Sequence, residues 1–254
     1  MHQRWPDRLW VVRHGESAGN VARDAAHAAQ SPVIDIASRD VDVPLSALGE
    51  QQAQALGRWF ADLAVGERPD VLLSSPYLRA RATANIIRDA GGFARVEIVQ
   101  VIDERLREKE FGILDRLTRW GIEQKHPEEA ASRKLVGKFY YRPPAGESWC
   151  DVILRLRSVL DTISLHYGGK RVLIVAHQVV VLCLRYLLEN MDEETILTID
   201  AKADVANCAI TEYVFKPEPD GSGSLVLEKY NFVAPLLQEG APVTSEPDAN
   251  VAAR

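Results

Sequence analysis

The chain has 254 residues, of which 46% are hydrophobic and 26% are charged, and its formal net charge is −6. This length allows one large domain with a substantial core, or two small domains. The negative charge gives no case for nucleic acid as a partner, and no apolar run approaches the length that spans a bilayer, so a membrane is not an expected partner either.

The first predicted element is a buried strand over residues 9–12, a short apolar run. It ends in Arg13, His14 and Gly15, so a cation and an imidazole follow it directly. Ligands bind at this end of the strands in an open α/β sheet. Residues 21–41 are rich in Ala and Asp without a clear period, and they predict a loop or a short helix near the mouth of such a site.

Further strands and helices alternate along the chain. Strands are predicted over residues 71–75, 96–101 and 171–176, and helices after the N-cap Ser46 and over about 77–90, 147–167 and 178–188. Residues 211–215 and 225–230 predict an edge hairpin around residues 220–223. This order favours an α/β fold, a three-layer sandwich with a mostly parallel central sheet flanked by helices.

Two segments differ from this alternation. Residues 115–146 mix aromatic and charged side chains, and they are predicted to form an inserted cap segment that covers something. Residues 237–254 are rich in Pro, Ala and acidic residues, a composition typical of a disordered tail. The predicted organisation is therefore a single domain over residues 1–236 with a cap at about 115–146, followed by the tail.

Polar side chains follow three of the predicted strands. Arg13 and His14 follow the first, Ser75 follows the second, and His177 follows residues 171–176. Because the carboxyl ends of parallel strands meet at one edge of a sheet, we expect these side chains to come together. Either histidine alone could be a satisfied core residue, but two of them at equivalent strand ends favour a shared site.

The residue types at this edge suit phosphoryl chemistry. Arg13 and the amide of Asn20 can bind a phosphoryl group. Arg79 or Arg81, at the start of the helix over residues 77–90, can supply a second guanidinium. One neutral histidine could attack phosphorus to form a phosphohistidine, while the second stabilises the charged oxygens. A carboxylic acid with a raised pKa would protonate the leaving alcohol. By position alone, Glu104, Glu108 and Glu110 all remain candidates for that acid.

Two rival chemistries fit the sequence less well. Two histidines and a glutamate could ligate a metal, but neighbouring arginines would repel a cation, and no H-x-x-H or H-x-x-x-H spacing exists. A serine nucleophile is weaker still as a reading of these residues.

Five sequence blocks resemble one known family when taken together. They are Arg13-His14-Gly15-Glu16-Ser17 with Asn20, Pro44-Leu45-Ser46 with Gly49 and Gln52-Ala53, Ser75-Pro76 with Arg79-Ala80 and Thr83, Leu106-Arg107-Glu108 with Phe111-Gly112, and Val175-Ala176-His177. In this order they resemble the histidine phosphatase superfamily, also called the phosphoglycerate-mutase-like family, over roughly residues 9–230.

The resemblance implies a phosphoglycerate-mutase-like fold and a role for each matching residue. His14 would be the phosphorylated nucleophile and Glu108 the acid-base group. The phosphoryl group would be held by Arg13, Asn20, Arg79 and His177. The family needs no metal, and no cofactor is expected.

One branch of the superfamily looks closest. Residues 139–148 and 176–184 resemble the fructose-2,6-bisphosphatase domain, although Ala145 and Leu182 stand near the positions of two of its basic residues. Arg142 is retained, so Arg142, Tyr141 and Gln178 are the predicted contacts to the rest of the substrate. Phosphoglycerate mutases carry Gly-Asn after the second histidine, where this chain has Gln178 and Val179.

The predicted function is a metal-independent phosphatase that hydrolyses a small phosphomonoester, either a sugar phosphate or a phosphorylated carboxylic acid, through phosphohistidine. The alternatives are a phosphoglycerate-mutase-type phosphotransferase, a phosphoprotein phosphatase and a non-catalytic phospholigand-binding protein. The expected partner is a small phosphorylated metabolite, and a homodimer is left open.

The cysteines bear on the compartment. Cys150, Cys183 and Cys208 are odd in number and show no C-x-x-C spacing, which is typical of single thiols in a reducing compartment. The first eight residues lack the apolar core of a signal peptide. A cytoplasmic location is therefore expected.

Overall fold

A computed structural model of the chain describes residues 3–93, 98–219 and 223–245. In these ranges six strands form one sheet: β1 (Arg8–Arg13), β2 (Val71–Ser74), β3 (Val99–Ile102), β4 (Arg171–Ala176), β5 (Ile210–Pro217) and β6 (Gly223–Phe232). Their order across the sheet is β3-β2-β4-β1-β5-β6. The first four strands in this order run parallel, and β5 and β6 are antiparallel to their neighbours. The predicted mostly parallel sheet is confirmed.

Helices cover both faces of this sheet. Their bounds are α1 (Ala18–Ala28), α2 (Ala47–Asp62), α3 (Leu78–Ala90), α4 (Arg119–Lys125), α5 (Pro127–Val136), α6 (Trp149–His166), α7 (Gln178–Leu188), α8 (Glu193–Lys202) and α9 (Ala234–Gln238). None of the helices in the described ranges is both long and apolar enough to cross a membrane.

The alternation of side chains along the strands separates two cores. Trp10 and Val12 of β1 pack with α2 and α3, whereas Leu9 and Val11 pack with α6 and α7 on the opposite face. Each of these four residues is at most 1% exposed. The layers are therefore helix, sheet, helix, and the predicted three-layer α/β sandwich is confirmed.

Two helix starts follow the predicted capping chemistry. The hydroxyl of Ser46 accepts a hydrogen bond from the backbone N–H of Gly49 at the start of α2. At the start of α6, Ser148 and Asp151 form a reciprocal capping box. These caps fix where both helices begin.

Several elements differ from the sequence-based expectation. The third strand occupies Val99–Ile102, not 96–101, and residues 96 and 97 lie outside the described residues. The hairpin pairs as expected, with its turn residues 220–222 also outside the description. Helices α4, α5 and α8 were not anticipated. α5 shows the reason, since none of its residues is buried and it therefore has no apolar face to detect.

The predicted disorder from residue 237 is wrong for residues 237–245. Ala241 is buried beside Leu236 in the core formed with α2 and α3. The side-chain amide of Gln52 donates to the Pro242 carbonyl and to the Thr244 hydroxyl, at 2.9 and 3.0 Å. This segment therefore packs on the domain because α2 offers it both an apolar contact and hydrogen bonds. Residues 246–254 lie outside the described residues.

Candidate active site

Three polar side chains meet where β1, β2 and β4 end. The backbone N–H of His14 donates to Ala176 of β4 at 2.9 Å, and that of Ser75 donates to Val175 at 3.0 Å. His177 directly follows Ala176, the last residue of β4, and its ring centroid lies 5.1 Å from that of His14. The parallel register thus brings together the strand-end residues predicted to share a site.

His14 is arranged as a neutral nucleophile. Its Nδ1 lies 2.7 Å from the carbonyl oxygen of Gly15, and because that oxygen can only accept, Nδ1 carries the proton. The unprotonated Nε2 accepts a hydrogen bond from Nε of Arg79 at 3.2 Å. Burial, followed by the charges of Arg79 and Arg13, holds the pKa of His14 well below its usual value.

The loop that carries His14 lies directly against the start of α2. A Cβ added at Gly15 would meet the carbonyl oxygen of Gly49 at 2.5 Å, and a Cβ at Gly49 would meet that of Glu16 at 1.9 Å. Only glycine therefore fits at either position. This close approach explains the predicted importance of Gly15 beside the nucleophile.

His177 lies fully buried on the other side of the site. Its Nε2 is 2.7 Å from the hydroxyl of Ser75. Its Nδ1 has no hydrogen-bond partner in the part of the chain that the structure describes, and it lies 3.9 Å from Oε2 of Glu108. Burial lowers the pKa of His177 well below its usual value, with Arg79 and His14 adding to the effect. A neutral ring can therefore offer one N–H to a bound oxyanion.

Glu108 is the carboxyl group that the fold places beside the histidines. It is 5% exposed, and its Oε1 accepts a hydrogen bond from the backbone N–H of Lys109 at 2.8 Å. Burial is the largest effect on its pKa, which is raised to about 7. Glu104 is exposed, and Glu110 accepts from the Tyr77 hydroxyl at 2.8 Å. Of the three candidates, only Glu108 lines the site pocket.

Glu108 is held in place from α6. A guanidinium nitrogen of Arg155 donates to the carbonyl oxygen of Glu108 at 3.2 Å. The carboxylate of Glu147 pairs with Arg155 at 3.0 Å and accepts from the backbone N–H of Glu110 at 3.1 Å. Arg155 and Glu147 thus fix the backbone on both sides of the acid, and sequence reasoning did not identify either residue.

Two buried arginines supply positive charge. Arg79, in the first turn of α3, reaches His14 with Nε and contacts Asp40 with Nη1 and Nη2. Arg13 donates to Gln178 Oε1 at 3.1 Å and to the Val205 carbonyl at 2.6 Å. Burial lowers the pKa of Arg13 to about 10, so it stays charged at neutral pH.

Asn20 completes the predicted phosphate-binding set. Its Oδ1 accepts from the backbone N–H and the hydroxyl of Ser17, at 2.8 and 2.9 Å. Ser17 is the N-cap of α1, so the capping box orients the amide. With the oxygen fixed by Ser17, the amide nitrogen is the atom suited to donate to a phosphoryl oxygen.

A pocket opens from these residues toward solvent. Its catalytic end contains His14, Asn20, Arg79 and Glu108. Its walls come from α1, from residues 34–43 and from residues 111–117, and the wall residues are Ser17, Gly19, Arg23, His27, Ile34, Ile36, Ser38, Asp40, Val43, Phe111, Leu114, Asp115, Arg116 and Leu117. Arg116 joins the last two segments by donating to the carbonyls of Ile36 and Ser38, at 3.1 and 2.9 Å.

The predicted substrate contacts Arg142 and Tyr141 do not line this pocket. The Arg142 side chain is 62% exposed and binds Asp151 of the α6 capping box, with Nε 2.7 Å from Oδ2. Tyr141 is buried and donates its hydroxyl to Glu129 at 2.6 Å. The structure therefore does not bring either residue to the pocket, because the N-terminus of α6 and the helix α5 provide nearer partners.

The remaining predicted contact, Gln178, lies behind Arg13 instead of in the pocket. It accepts from Arg13 and donates to Asp204 Oδ1 at 2.8 Å. Its role in the structure is to orient Arg13. Of the predicted cap segment 115–146, only Asp115, Arg116 and Leu117 line the pocket.

The pocket residues that sequence reasoning missed include Arg23 and His27. Asn20, Arg23 and His27 are spaced by three and four residues, the spacing of one helix face. That spacing was visible in the sequence. In the described residues, no group of three histidine, cysteine or carboxylate side chains is placed to hold a metal ion.

A profile of the histidine phosphatase superfamily (branch 1) matches residues 9–223 of the chain. This range contains the strand-end residues, Arg79 and Glu108 that the fold brings together.

Curated relatives agree with this match. The chain is 31% identical over 235 residues to the "Probable phosphoglycerate mutase GpmB" of Erwinia tasmaniensis, an alignment that covers 90% of this chain and 94% of the relative. It is 35% identical over 168 residues to a phosphoglycerate mutase-like protein of Arabidopsis thaliana, covering 62% of this chain and 53% of that relative. The chain thus spans about half the length of the plant protein.

A solved structure shares the fold. The mycobacterial glucosyl-3-phosphoglycerate phosphatase in complex with VO3 superposes with a TM-score of 0.65 at 24% identity. The superposition covers 89% of this chain and 99% of that one. The architecture described above therefore recurs over nearly the whole of a solved protein.

Proposed function

The chain belongs to the histidine phosphatase superfamily, and from this premise we propose that it is a phosphatase that hydrolyses a small phosphomonoester through a phosphohistidine on His14. A sugar phosphate and a phosphorylated carboxylic acid are the substrate classes proposed. The observation that carries the proposal is the pairing of a neutral His14, whose Nε2 faces Arg79 at 3.2 Å, with Glu108, whose pKa is raised to about 7.

The first half-reaction transfers the phosphoryl group to His14. Arg13, Asn20, Arg79 and His177 would hold its oxygens and offset their charge. The lone pair of His14 Nε2 attacks phosphorus, and the bond from phosphorus to the ester oxygen breaks. Protonated Glu108 gives its proton to the leaving oxygen, so the alcohol departs neutral.

The second half-reaction returns the protein to its starting state. Ionised Glu108 accepts a proton from a water molecule as the water oxygen attacks the phosphorus of phosphohistidine. The bond from phosphorus to Nε2 breaks, and inorganic phosphate leaves. Glu108 is then protonated and His14 neutral again. A pKa near the working pH suits a group that must both give and take a proton.

The pocket favours a small substrate over a phosphoprotein. His14 and Glu108 are 3% and 5% exposed, and residues 34–43 and 111–117 wall the approach to them. A phosphorylated side chain on a folded protein would have to displace these segments. A small phosphoester can enter the pocket as it stands.

A mutase is the second candidate, and the names of the relatives favour it. The Erwinia tasmaniensis relative carries the name of a phosphoglycerate mutase, whereas the mycobacterial structure carries that of a phosphatase. The two reactions share the phosphohistidine step. They differ in whether a second hydroxyl of the substrate or water takes the phosphoryl group.

One experiment separates these possibilities. The purified chain is screened for phosphate release from phosphorylated metabolites, with the His14→Ala variant as control. In parallel, a phosphoglycerate is supplied with and without a bisphosphorylated primer, and isomer formation is followed. Phosphate release that depends on His14 supports the phosphatase. Primer-dependent isomer formation without net release would replace it with the mutase.

A further inference from the structure

One face of α1 lines the pocket with polar side chains, and it extends beyond the residues that are expected to bind the phosphoryl group. Asn20, Arg23 and His27 share this face and line the pocket. Because an α-helix rises 1.5 Å per residue, Arg23 lies about 4.5 Å and His27 about 10 Å along the axis from Asn20. The face therefore extends from Asn20 along the pocket wall, away from the phosphoryl-binding residues.

Arg23 is a third buried guanidinium in addition to Arg13 and Arg79. It is 7% exposed, and burial lowers its pKa to about 10. Its Nη2 binds Oδ1 of Asp24 at 2.9 Å, although that carboxylate is 57% exposed and thus well hydrated. The charge of Arg23 also depresses the pKa of His14. Its field therefore reaches the reacting end of the pocket.

His27 adds unsatisfied hydrogen-bonding capacity beside Arg23. Its Nδ1 and Nε2 are both buried, and neither has a hydrogen-bond partner among the described residues. The ring packs on Trp120 of α4 with centroids 5.5 Å apart, which fixes it in the wall. A buried polar group without a partner costs free energy, so such groups mark places where a ligand completes the hydrogen bonding.

The opposite wall of the pocket offers an apolar packing surface of four aliphatic side chains, Ile34, Ile36, Leu114 and Leu117. Its charged residues include Arg116, whose terminal nitrogens bind the carbonyls of Ile36 and Ser38. A ligand that spans the pocket would place its carbon skeleton on the aliphatic residues. Its second charged group would then turn toward α1.

We propose that Arg23 and His27 bind a second anionic group of the substrate, a carboxylate or a second phosphate, one to two helical turns from the phosphoryl group that His14 receives. This inference rests on the proposed function, since it names the substrate class of the same pocket. Arg23 would supply a charge-assisted, bidentate contact, and the neutral His27 ring would supply one N–H. The site selects esters with a second anion over simple alkyl phosphates.

Binding of non-hydrolysable phosphonates tests the site without turnover. Calorimetry compares propylphosphonate with 3-phosphonopropionate, which adds a carboxylate, and with propane-1,3-bisphosphonate, which adds a second phosphonate. The wild-type protein should bind at least one of the two probes that carry a second anionic group about ten- to a hundredfold more tightly than propylphosphonate. The stronger of the two identifies the second group. Equal affinity for all three probes overturns the proposal.

Variants then assign the preference to α1. Arg23→Gln should lose most of this preference, and Arg23→Lys should keep part of it because the charge remains. Arg81→Gln removes an exposed arginine of α3 outside the pocket and should keep the preference. His27→Phe keeps the ring on Trp120 without its nitrogens, and should reduce the preference even if Arg23→Gln does not fold. A preference that survives at the wild-type ratio in both Arg23→Gln and His27→Phe, or in His27→Phe where Arg23→Gln does not fold, contradicts the assignment.

Hydrolysis assays distinguish a failure of the second-anion site from a failure of the proposed phosphatase function. For phosphate release, kcat/KM for 3-phosphoglycerate divided by that for glycerol 3-phosphate should fall about ten- to a hundredfold in Arg23→Gln. Equal losses on both esters would place Arg23 in the phosphoryl pocket and overturn the inference. If the protein binds the phosphonates with a second anionic group selectively but releases phosphate from no ester, the phosphatase proposal fails while the binding site stands.

Discussion

Nε of Arg79 lies 3.2 Å from Nε2 of His14 and donates a hydrogen bond to it. Since Nδ1 of the same ring donates to Gly15, the hydrogen bonds leave His14 in a single tautomer with its lone pair on the side of the guanidinium. The group that would bind a phosphoryl oxygen thus already contacts the atom that would attack phosphorus. Because this lone pair is the one that must attack, the Arg79 donor has to pass from Nε2 to a phosphoryl oxygen when the substrate binds.

His14→Ala should abolish phosphohistidine formation and lower kcat/KM by at least about a thousandfold, because no other group replaces the nucleophile. Rapid quenching with a radiolabelled phosphoester should trap an acid-labile, base-stable adduct in the wild-type protein. Ser17 is the nearest competing hydroxyl on the same loop. Label that is acid-stable and maps to Ser17 would show that the nucleophile is wrongly assigned.

Glu108→Gln should slow alkyl phosphates by about a hundred- to ten-thousandfold, since their leaving oxygen needs a proton. An activated aryl phosphate should lose far less, because its leaving group departs without one. In the wild-type protein kcat/KM for the alkyl ester should fall as the pH rises through about 7, where Glu108 ionises. That descending limb should be absent in the variant. Equal losses on both ester types would exclude the role.

The same carboxyl should also affect stability. The pKa of Glu108 is raised from 4.5 to about 7 in the fold, so the folded state keeps a proton that the unfolded chain releases between these values. Stability therefore falls as the pH rises across this range. Glu108→Gln removes the effect. Relative to the wild type, it should gain about 1–3 kcal/mol in the free energy of unfolding between pH 5 and pH 8.

Urea unfolding of both proteins at the two pH values measures that difference. Using the difference between the two proteins cancels the other titrating groups, His14 and His177 among them. A Glu108→Gln protein whose relative stability does not change with pH would show that burial does not raise the pKa of this carboxyl.

Asp40→Asn should strengthen the binding of inorganic phosphate about two- to fivefold. The Asp40 carboxylate contacts both terminal nitrogens of Arg79 at 2.9 and 3.2 Å, and it must share that guanidinium with phosphate. The expected gain is small because the Asp40 side chain is 39% exposed, and water screens the pair. Product inhibition of the wild type and the variant gives the two constants.

The same substitution has a second, independent readout. The charge of Asp40 helps to raise the pKa of Glu108, so Asp40→Asn should move the descending limb of the pH profile to lower pH. Weaker phosphate binding with an unmoved limb would mean that Asp40 orders Arg79 for phosphate instead of competing with it.

Activity should not require a divalent metal, because Arg13 and Arg79 already offset the phosphoryl charge. Phosphate release should persist after prolonged treatment with a chelator, and added zinc or magnesium should not raise it. Loss of activity on chelation, with recovery on adding either metal, would refute the metal-independent mechanism.

The residues that meet at the catalytic edge of the sheet could be predicted because the end of each strand is visible in the sequence. Apolar runs stop abruptly at Arg13, Ser74 and Ala176, and parallel pairing then forces the next residues together. The choice of Glu108 over Glu104 and Glu110 needed the family resemblance. Local sequence could not decide it, since which of the three is buried depends on how α6 holds the segment.

The face of α1 that lines the pocket was harder to predict from the sequence. α1 buries Asn20, Arg23 and Ala26, so no apolar period marks it as a helix. Arg142 was expected to contact the substrate because it lies in a block that resembles a sugar-phosphate site. The sequence did not indicate that the carboxylate of Asp151 would bind it instead. The hydrophobic pattern of a sequence detects elements that pack on an apolar core. It does not detect the polar residues of α1 or Arg142, because their side chains contact polar groups.

The contact between His14 and the Gly15 carbonyl has an evolutionary consequence. In many enzymes a carboxylate selects the tautomer of the reactive histidine, and a single codon change can remove it. Here the main chain of Gly15 makes that selection, so the contact itself does not depend on a side chain. Because only glycine fits between His14 and the start of α2, a substitution at Gly15 would instead displace the loop that carries the nucleophile. Tautomer selection and loop packing thus depend on the same residue, so descendants of this chain could diverge in substrate only while this glycine is kept.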